Sequence, residues 1–322
     1  MGKITVVIPN YNGIAYIEAC LRSLAKQTIE KFHTIVIDNG STDGSDCVVK
    51  VQFPKVQLFR FEENRGFSAA VNKGIELSNS KYVLLLNNDT TVETDFLEKM
   101  QDAISKSDNI FSVSAKMIQM DDRTKLDGAG DLYCALGWAY ARNKGASSND
   151  AREWSPIFSA CAGAAIYRKS IVEKIGLFDE HHFAYLEDLD IGYRAKIYGY
   201  LNYYTPDAIV YHVGSAVSGS RYNDFKVALA SKNSVYVIYK NMPLLQILLN
   251  LPLLLLGFFI KTIFFIIKGY GSTYVKGLGR GIAFSMTKEA RKNKVKFQFS
   301  HLSYYLRIQV ELWYNIVARL FL

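Results

Sequence analysis

Residues 81–91 read KYVLLLNNDTT, an apolar run that stops abruptly on a carboxylate. Residues 82–86 have no polar face, so they suit a central strand of a sheet covered on both sides. Asn87, Asn88 and Asp89 follow at once. In open α/β sheets, ligands bind beyond the carboxyl ends of the strands. A carboxylate there is placed to hold a divalent cation against a phosphate. The competing reading is a polar turn, because Asn and Asp bond their own backbone in turns.

The surrounding pattern repeats this layout. Residues 4–8 form a β-branched run closed by Pro9-Asn10-Tyr11-Asn12-Gly13, and Tyr16, Cys20, Leu21 and Leu24 then recur at helical spacing. A second strand over 34–37 ends in Asp38-Asn39-Gly40-Ser41, and a helical pattern follows. Residues 56–61 read as a third strand, 62–66 as a loop and 67–77 as a helix. Strands alternating with helices indicate βαβ units and a parallel sheet, with the polar loops gathered on one edge. That is a nucleotide-pocket layout, although the chain has no GxGxxG or Walker sequence. From about 96 to 235 the pattern is mixed. Short strands are expected at 111–115, 164–167 and 208–211, with a helix near 189–198.

Composition separates this α/β region from a tail. The 322 residues suit roughly two domains, placed at 1–235 and 236–322. The net charge of +8 does not point to nucleic acid, because residues 236–322 carry +10 and the rest −2. The tail is also apolar. Basic and apolar together favour an anionic membrane surface. Residues 244–267 form a nearly continuous apolar run broken by Gln246, Asn250, Pro252 and Lys261. Its 24 residues are long enough to span a bilayer, but Pro252, Lys261 and the +8 of residues 268–322 argue for helices lying on the cytoplasmic leaflet. Residues 301–322, with Tyr304, Tyr305, Arg307, Trp313 and Arg319, suit a second amphipathic surface helix. Covering the sheet, or joining copies of the chain into a homo-oligomer, is the alternative use of these helices. The four cysteines show no CxxC spacing and read as reduced thiols rather than a zinc site. The N-terminus enters a strand directly, so no signal peptide is expected, and Val6 breaks a myristoylation pattern.

Three features carry chemistry. Glu187-Asp188-Leu189-Asp190 places three carboxylates in four residues. An acidic helix start would explain them; a general base with neighbours that tune it explains them better. Asp190 and Arg194 stand at i, i+4 and can pair, leaving Glu187 or Asp188 to face a substrate. His212 closes a strand, where it can pack, cap or ligate a cation with Asp89. Gly137-Trp138, after Asp127-Gly128-Ala129-Gly130, offers either an aromatic platform for a sugar or a core Trp.

In order, VVIPNYN, VIDNGSTDGS, ENRGFSAAVNKG, LLLNNDT, EDLDIGYR and YHVGS resemble family 2 glycosyltransferases of the GT-A fold, over about residues 3–215. The likeness is greater to bacterial rhamnosyltransferase-type members that build O-antigen, capsule or cell-wall polysaccharide. The resemblance implies a Rossmann-like mixed sheet flanked by helices, with the tail as a membrane-association region. It implies that Pro9, Tyr11, Asn12, Asp38, Arg65, Gly66, Asn87, Asn88 and Asp89 bind the nucleotide sugar, Asp38 reading the base. Asn87 replaces the first Asp of the family's DxD motif, so Asp89, with His212, would hold Mg²⁺ or Mn²⁺. Asp188 matches the catalytic base, beside Glu187; from the readings above, Trp138, Asp190 and Arg194 are the candidate acceptor-binding residues. The donor would be a dTDP- or UDP-linked sugar, the acceptor a lipid-linked glycan, and the reaction an inverting displacement. A GT-A-like nucleotidyltransferase is the first alternative, yet PNYNGIAYIE lacks the Lys- and Gly-rich loop expected of one. A degenerate domain that scaffolds a partner glycosyltransferase at the membrane is the second, prompted by Asn87.

Overall fold

The computed structural model describes residues 2–214 and 222–319. Strands β1 (Ile4–Asn10), β2 (His33–Asn39), β3 (Gln57–Phe61) and β4 (Tyr82–Leu86) alternate with helices α1 (Ile17–Leu24), α2 (Ser45–Gln52) and α3 (Phe67–Leu77). They pair in parallel in the order β3-β2-β1-β4. All five residues of β4 are buried, because strands flank it on both edges and helices cover both faces.

The second half turns the sheet from parallel to mixed. It comprises β5 (Thr90–Val92), α4 (Phe96–Ser105), β6 (Ile110–Gln119), β7 (Leu126–Gly128), the hairpin β8 (Asp131–Cys134) and β9 (Trp138–Ala141), β10 (Ser155–Pro156), β11 (Ala164–Arg168), α5 (Lys169–Ile175), α6 (Glu187–Ile197) and β12 (Leu201–His212). β11 runs antiparallel to both β4 and β6, whereas β12 lies parallel to β6, with a register break between Tyr204 and Ile209. The strand expected at 208–211 is thus the end of a longer bulged strand, and the bulge re-aims its tip.

Five helices follow: α7 (Asp224–Asn241), α8 (Leu244–Ile267), α9 (Gly271–Ser285), α10 (Lys288–Asn293) and α11 (Leu302–Ala318). The boundary expected at 235/236 falls inside α7. There is no break in the core there, since Tyr133, Phe158, Leu189 and Tyr193 pack in one cluster with Val237, Leu254, Tyr305 and Leu312.

Helix α8 is amphipathic in the reverse sense. Its buried stripe is Gln246, Asn250, Leu254 and Gly257, while leucine, isoleucine and phenylalanine side chains face outward. Asn250 and Gln309 of α11 exchange side-chain hydrogen bonds of 2.8 Å, and Gln246 accepts from Tyr193 at 3.1 Å. The polar interruptions in the apolar run are therefore its protein-facing contacts. Gly257 lets α8 touch the hairpin: a Cβ there would lie 2.1 Å from the Leu136 carbonyl oxygen. By length and composition α8 could cross a membrane.

A buried charge cluster locks α6 to α7. Asp190 Oδ2 accepts from Arg194 at 2.9 Å and from Lys240 at 2.8 Å, and Oδ1 accepts from Asn241 at 2.8 Å. Lys240 also reaches Asp179 at 2.7 Å. Burial alone would raise both carboxyls; Arg194 and Lys240 for Asp190, and Lys240 for Asp179, outweigh it and hold them well below the usual range. Groups with depressed folded pKa values contribute stability above about pH 4 that is lost as pH falls through those values. Lys240→Met leaves two buried carboxylates undercompensated, and we expect it to cost about 3–5 kcal/mol, read as a lowered Tm at pH 7 and a smaller Tm loss on acidification than the parent shows.

Candidate active site

The loops beyond β1, β2 and β4 are stitched together by amide side chains. Asn10, at the end of β1, donates to Asp38 Oδ1 and to Ser45 Oγ, both at 2.9 Å, and accepts from Asn88 at 2.8 Å. Asp38 is fully buried at the end of β2 and accepts the Ser41 N–H at 3.1 Å. Asn12 takes a left-handed backbone with φ of 49°. It accepts from the Thr42 N–H, and its own N–H donates to Ser41 Oγ, both at 2.9 Å. Pro9 lies on β1 beside Ile37, and Tyr11 follows, partly exposed, at the rim.

Asn39 shapes the next loop, accepting the Arg65 N–H at 2.9 Å and donating to the Gly66 carbonyl at 3.0 Å. Gly66 is required by its φ of 88° and by Phe183, whose carbonyl oxygen would stand 2.6 Å from a Cβ. The Arg65 guanidinium is half exposed, lies over Phe61 and reaches Glu180 at 3.8 Å.

Asp89 faces His212. The carboxylate Oδ1 stands 3.3 Å from His212 Nε2, and His212 Nδ1 meets Asp127 Oδ2 at 2.8 Å. Asp127 also pairs with Lys144 at 2.5 Å. Burial opposes charge on His212, but its bonds to Asp127 and Asp89 prevail and push the imidazole up to about 9. Burial likewise opposes Asp127, yet His212 and Lys144 hold it at about 2. The donor set fits a divalent cation: an ion about 2.1 Å from both Oδ1 and Nε2 spans 3.3 Å comfortably. The second imidazole nitrogen is already oriented by a carboxylate, the usual support behind a ligating histidine.

Asp188 enters from the other side. Its Oδ1 accepts the Leu189 N–H at 2.7 Å and its Oδ2 the Ala162 N–H at 3.4 Å. The adjoining Gly163 carbonyl accepts the Asn87 N–H at 2.9 Å. Segment 161–163 therefore bridges the α6 carboxylate and the Asn87-Asn88-Asp89 turn. Burial raises Asp188 above the ordinary range, while the backbone N–H groups pull it back. Glu187 is buried with Oε2 unpartnered; burial first, and then the Asp188 charge, push it well up. Of these two neighbours, Asp188 is the one equipped to be ionised.

Strain precedes these acids. Phe183, Tyr185 and Leu186 have φ of 61°, 69° and 67°, a region costly for residues with side chains. Asn233 of α7 clamps the bend, donating to the carbonyls of His182, Ala184 and Tyr185 at 2.8–2.9 Å.

Three expected acceptor residues lie elsewhere. Asp190 and Arg194 are buried in the α6–α7 charge cluster, and Arg194 also donates to the carbonyls of Ile175, Gly176 and Leu177; Asp190 is wholly enclosed, and Arg194 edges only a cleft remote from Asp188. Trp138 donates its indole N–H to the Gly257 carbonyl at 3.1 Å, which makes it part of the α8 contact. A cleft of about 680 Å³ between 175–181 and 293–298 contains none of the Asp38, Asp89, Asp188 or His212 set. The sequence reading missed Asn10, Asn39 and Asp131, whose carboxyl lies within 4.8 Å of Asp188. The spacing of two acids around DGAG was the available signal for Asp131. Among the described residues the four cysteines are free thiols, with Cys47 exposed, Cys161 partly so and the others buried.

Comparison with known proteins decides the family. Residues 5–176, just over half the chain, match the model for glycosyl transferase family 2. The chain belongs to that family. This glycosyltransferase is 26% identical over 230 residues to the N-acetylglucosaminyl-diphospho-decaprenol L-rhamnosyltransferase of Mycobacterium tuberculosis, covering 64% of this chain and 75% of that protein. Its fold matches S. aureus TarS 1–349 in complex with UDP-GlcNAc at TM-score 0.60 and 17% identity, over 91% of this chain and 84% of that one. It matches GalNAc-T7 with UDP, GalNAc and Mn²⁺ at TM-score 0.60 and 18% identity, over 74% of this chain but only 48% of the other. The GT-A architecture expected from the sequence is the architecture found.

The Asn233 clamp yields a prediction. Asn233→Ala frees three carbonyls from a strained bend, and we expect a loss of about 1–3 kcal/mol, measured as a lowered Tm.

Proposed function

We propose that this family 2 glycosyltransferase moves a sugar, rhamnose by likeness to the mycobacterial relative, from a nucleoside diphosphate to a hydroxyl of a lipid-linked glycan, with inversion. The observation that carries this reading is the bridge through Ala162 and Gly163, which sets the Asp188 carboxylate beside the turn that bears Asp89. Pro9, Tyr11 and Asn12 would meet the base, dTDP or UDP, on a loop that the buried Asp38 holds from beneath through Asn10 and Ser41, and Arg65 and Gly66 would flank the donor. Asn87 and Asn88 shape the turn that presents Asp89.

Asp89 and His212 would hold Mg²⁺ or Mn²⁺, which when bound neutralises the departing diphosphate. Asp188 accepts the proton of the incoming hydroxyl as its oxygen attacks the anomeric carbon from the side opposite the diphosphate. A single displacement of this kind inverts the anomeric centre and needs no carboxylate nucleophile. Glu187 is adjacent, and burial followed by the Asp188 charge pushes its carboxyl up, which disfavours a second negative charge beside the base.

A membrane acceptor accounts for the reversed amphipathicity of α8. Its outward face, with exposed residues such as Leu245, Leu255 and Phe259, suits the acyl boundary of a bilayer. Lys268, Lys276, Arg280 and the 288–296 basic run suit anionic headgroups. The inner face binds its own protein along the helix, so we place α8 on the cytoplasmic leaflet rather than across the bilayer.

Incubation with dTDP- and UDP-sugars and a short-chain N-acetylglucosaminyl-diphospholipid tests the transfer. Asp188→Asn and Asp89→Ala are each expected to lower turnover at least about 10²-fold at near-parental Tm. Near-normal rates in both variants would remove Asp188 and Asp89 from these roles, and absence of transfer in the parent would favour a scaffold role. Flotation with phosphatidylglycerol–phosphatidylcholine vesicles tests the surface. The Leu255→Asp, Phe259→Asp double variant should lose most binding in low salt, and retention of binding would reject this face as the contact.

A further inference from the structure

The β8–β9 hairpin begins at Asp131, a residue to which the preceding reading gives no task. Its backbone is locked: its N–H donates to the Ser159 carbonyl at 3.0 Å, and its own carbonyl accepts from Phe158 at 2.9 Å. That anchorage delivers the side chain to the base. A carboxyl oxygen of Asp131, the Cys161 sulfur and a carboxyl oxygen of Asp188 all lie within 4.8 Å of one another. All three residues are partly buried, neither in the core nor fully exposed.

Two carboxylates this close in a recess do not both ionise readily. Asp188 has the first claim on the charge, because it accepts two backbone N–H bonds at the start of α6, where the helix dipole favours an anion. Among the described residues, no hydrogen bond supports a charge on Asp131. Burial, then the Asp188 charge, push its carboxyl well up. The other titratable groups around it are Glu187 on α6, Cys161, Tyr167 on β11, Asp127 on β7 and Lys144; only Lys144 opposes that rise.

We propose that Asp131 is a second acid of the transfer site, holding a proton beside ionised Asp188 and donating that O–H to a hydroxyl of the acceptor sugar. This rests on Asp188 acting as the base. During transfer the acceptor's own proton passes to Asp188 as the new C–O bond forms. The bond to the diphosphate breaks and its electron pair leaves with the nucleotide. Asp131 keeps its proton throughout, so its part is to orient the sugar that Asp188 deprotonates.

Infrared spectroscopy of the full chain in detergent tests the proton without substrate. The parent protein should show a neutral-carboxyl C=O stretch at pH 7 that is lost in Asp131→Asn and kept in Glu187→Gln. In Asp188→Asn, which removes the neighbouring charge, the Asp131 band should disappear at a lower pH than in the parent. An unchanged spectrum in Asp131→Asn, or an unmoved titration in Asp188→Asn, overturns the proposal. Turnover gives a second arm, with dTDP-rhamnose and the short-chain N-acetylglucosaminyl-diphospholipid as probes. kcat/KM for the acceptor should fall about tenfold to hundredfold further in Asp131→Ala than in Asp131→Asn, whose amide still donates. The parent's alkaline loss of kcat/KM should vanish in Asp131→Asn. Equal losses in the two variants, or an unaltered pH profile, reject it. Absence of transfer in the parent protein would instead overturn the functional reading, while the infrared result still judges the proton.

Discussion

The start of α6 is held by the pairing of Asp190 with Arg194 and Lys240, and the geometry of the site depends on it. Successive helical residues are turned by about 100°, so Asp188 and Asp190 point to nearly opposite sides of one turn. Asp190 faces inward, where Arg194 stands 2.9 Å away and Lys240 2.8 Å away. With that residue fixed, Asp188 is turned away from the cluster and toward the Ala162 N–H, while Glu187, three residues before Asp190, stays buried on the inner face. A buried ion cluster is poor evidence of net stability, but it specifies one arrangement against others. Here the specified quantity is the direction of a carboxylate. The strained bend before it, at Phe183, Tyr185 and Leu186, is tolerated because Asn233 of the same helix α7 anchors it.

The C-terminal helices are part of this machinery and not an appendage. Asn315 of α11 donates to the Tyr133 carbonyl at 2.9 Å, and the Ala135 N–H donates to the Leu312 carbonyl at 3.0 Å. Trp138 and Gly257 tie the same hairpin to α8. One hairpin is therefore braced at its turn by the helices with the apolar outer face and begins, at Asp131, beside Asp188. Polar contacts such as Asn250 with Gln309 make the inner seam directional, which oily contact alone would not. A helix whose apolar side faces away from its own protein has its register set by those amides.

Much of the catalytic half was legible because its signals are local. A five-residue apolar run bounded by polar residues suited a doubly covered strand, and β4 is buried throughout. Alternation of strand and helix gave the parallel half, and the i, i+4 spacing of Asp190 and Arg194 gave their ion pair. The antiparallel insertion of β11 between β4 and β6 was not legible, since nothing local in AAIYR says which strands it joins. The same limit hid the partners of Asp190. Lys240 lies 50 residues on, so burial of the pair was invisible and an acceptor role looked open. Trp138 misled for a related reason: a glycine-flanked aromatic reads alike whether a sugar or a helix backbone meets it. Gln246 and Asn250 looked like defects in an apolar segment; only packing shows them to be its contact face.

The acids of the recess fall into two groups with opposite electrostatics, and that division sorts their chemistry. Asp89 and Asp127 stand against His212, with Lys144 on the far side, so their negative charge is already balanced. Asp188, Glu187 and Asp131 have no cation in contact with their carboxyls among the described residues, and burial drives all three upward. The ready response of an unbalanced group is to bind protons, and the backbone N–H bonds of Asp188 decide which member stays ionised. Bringing a positive ion to the first group and proton transfer to the second would keep the two processes from competing for the same carboxylates. The Cys161–Gly163 segment, which bonds to Asp188 on one side and to Asn87 on the other, fixes the distance between them.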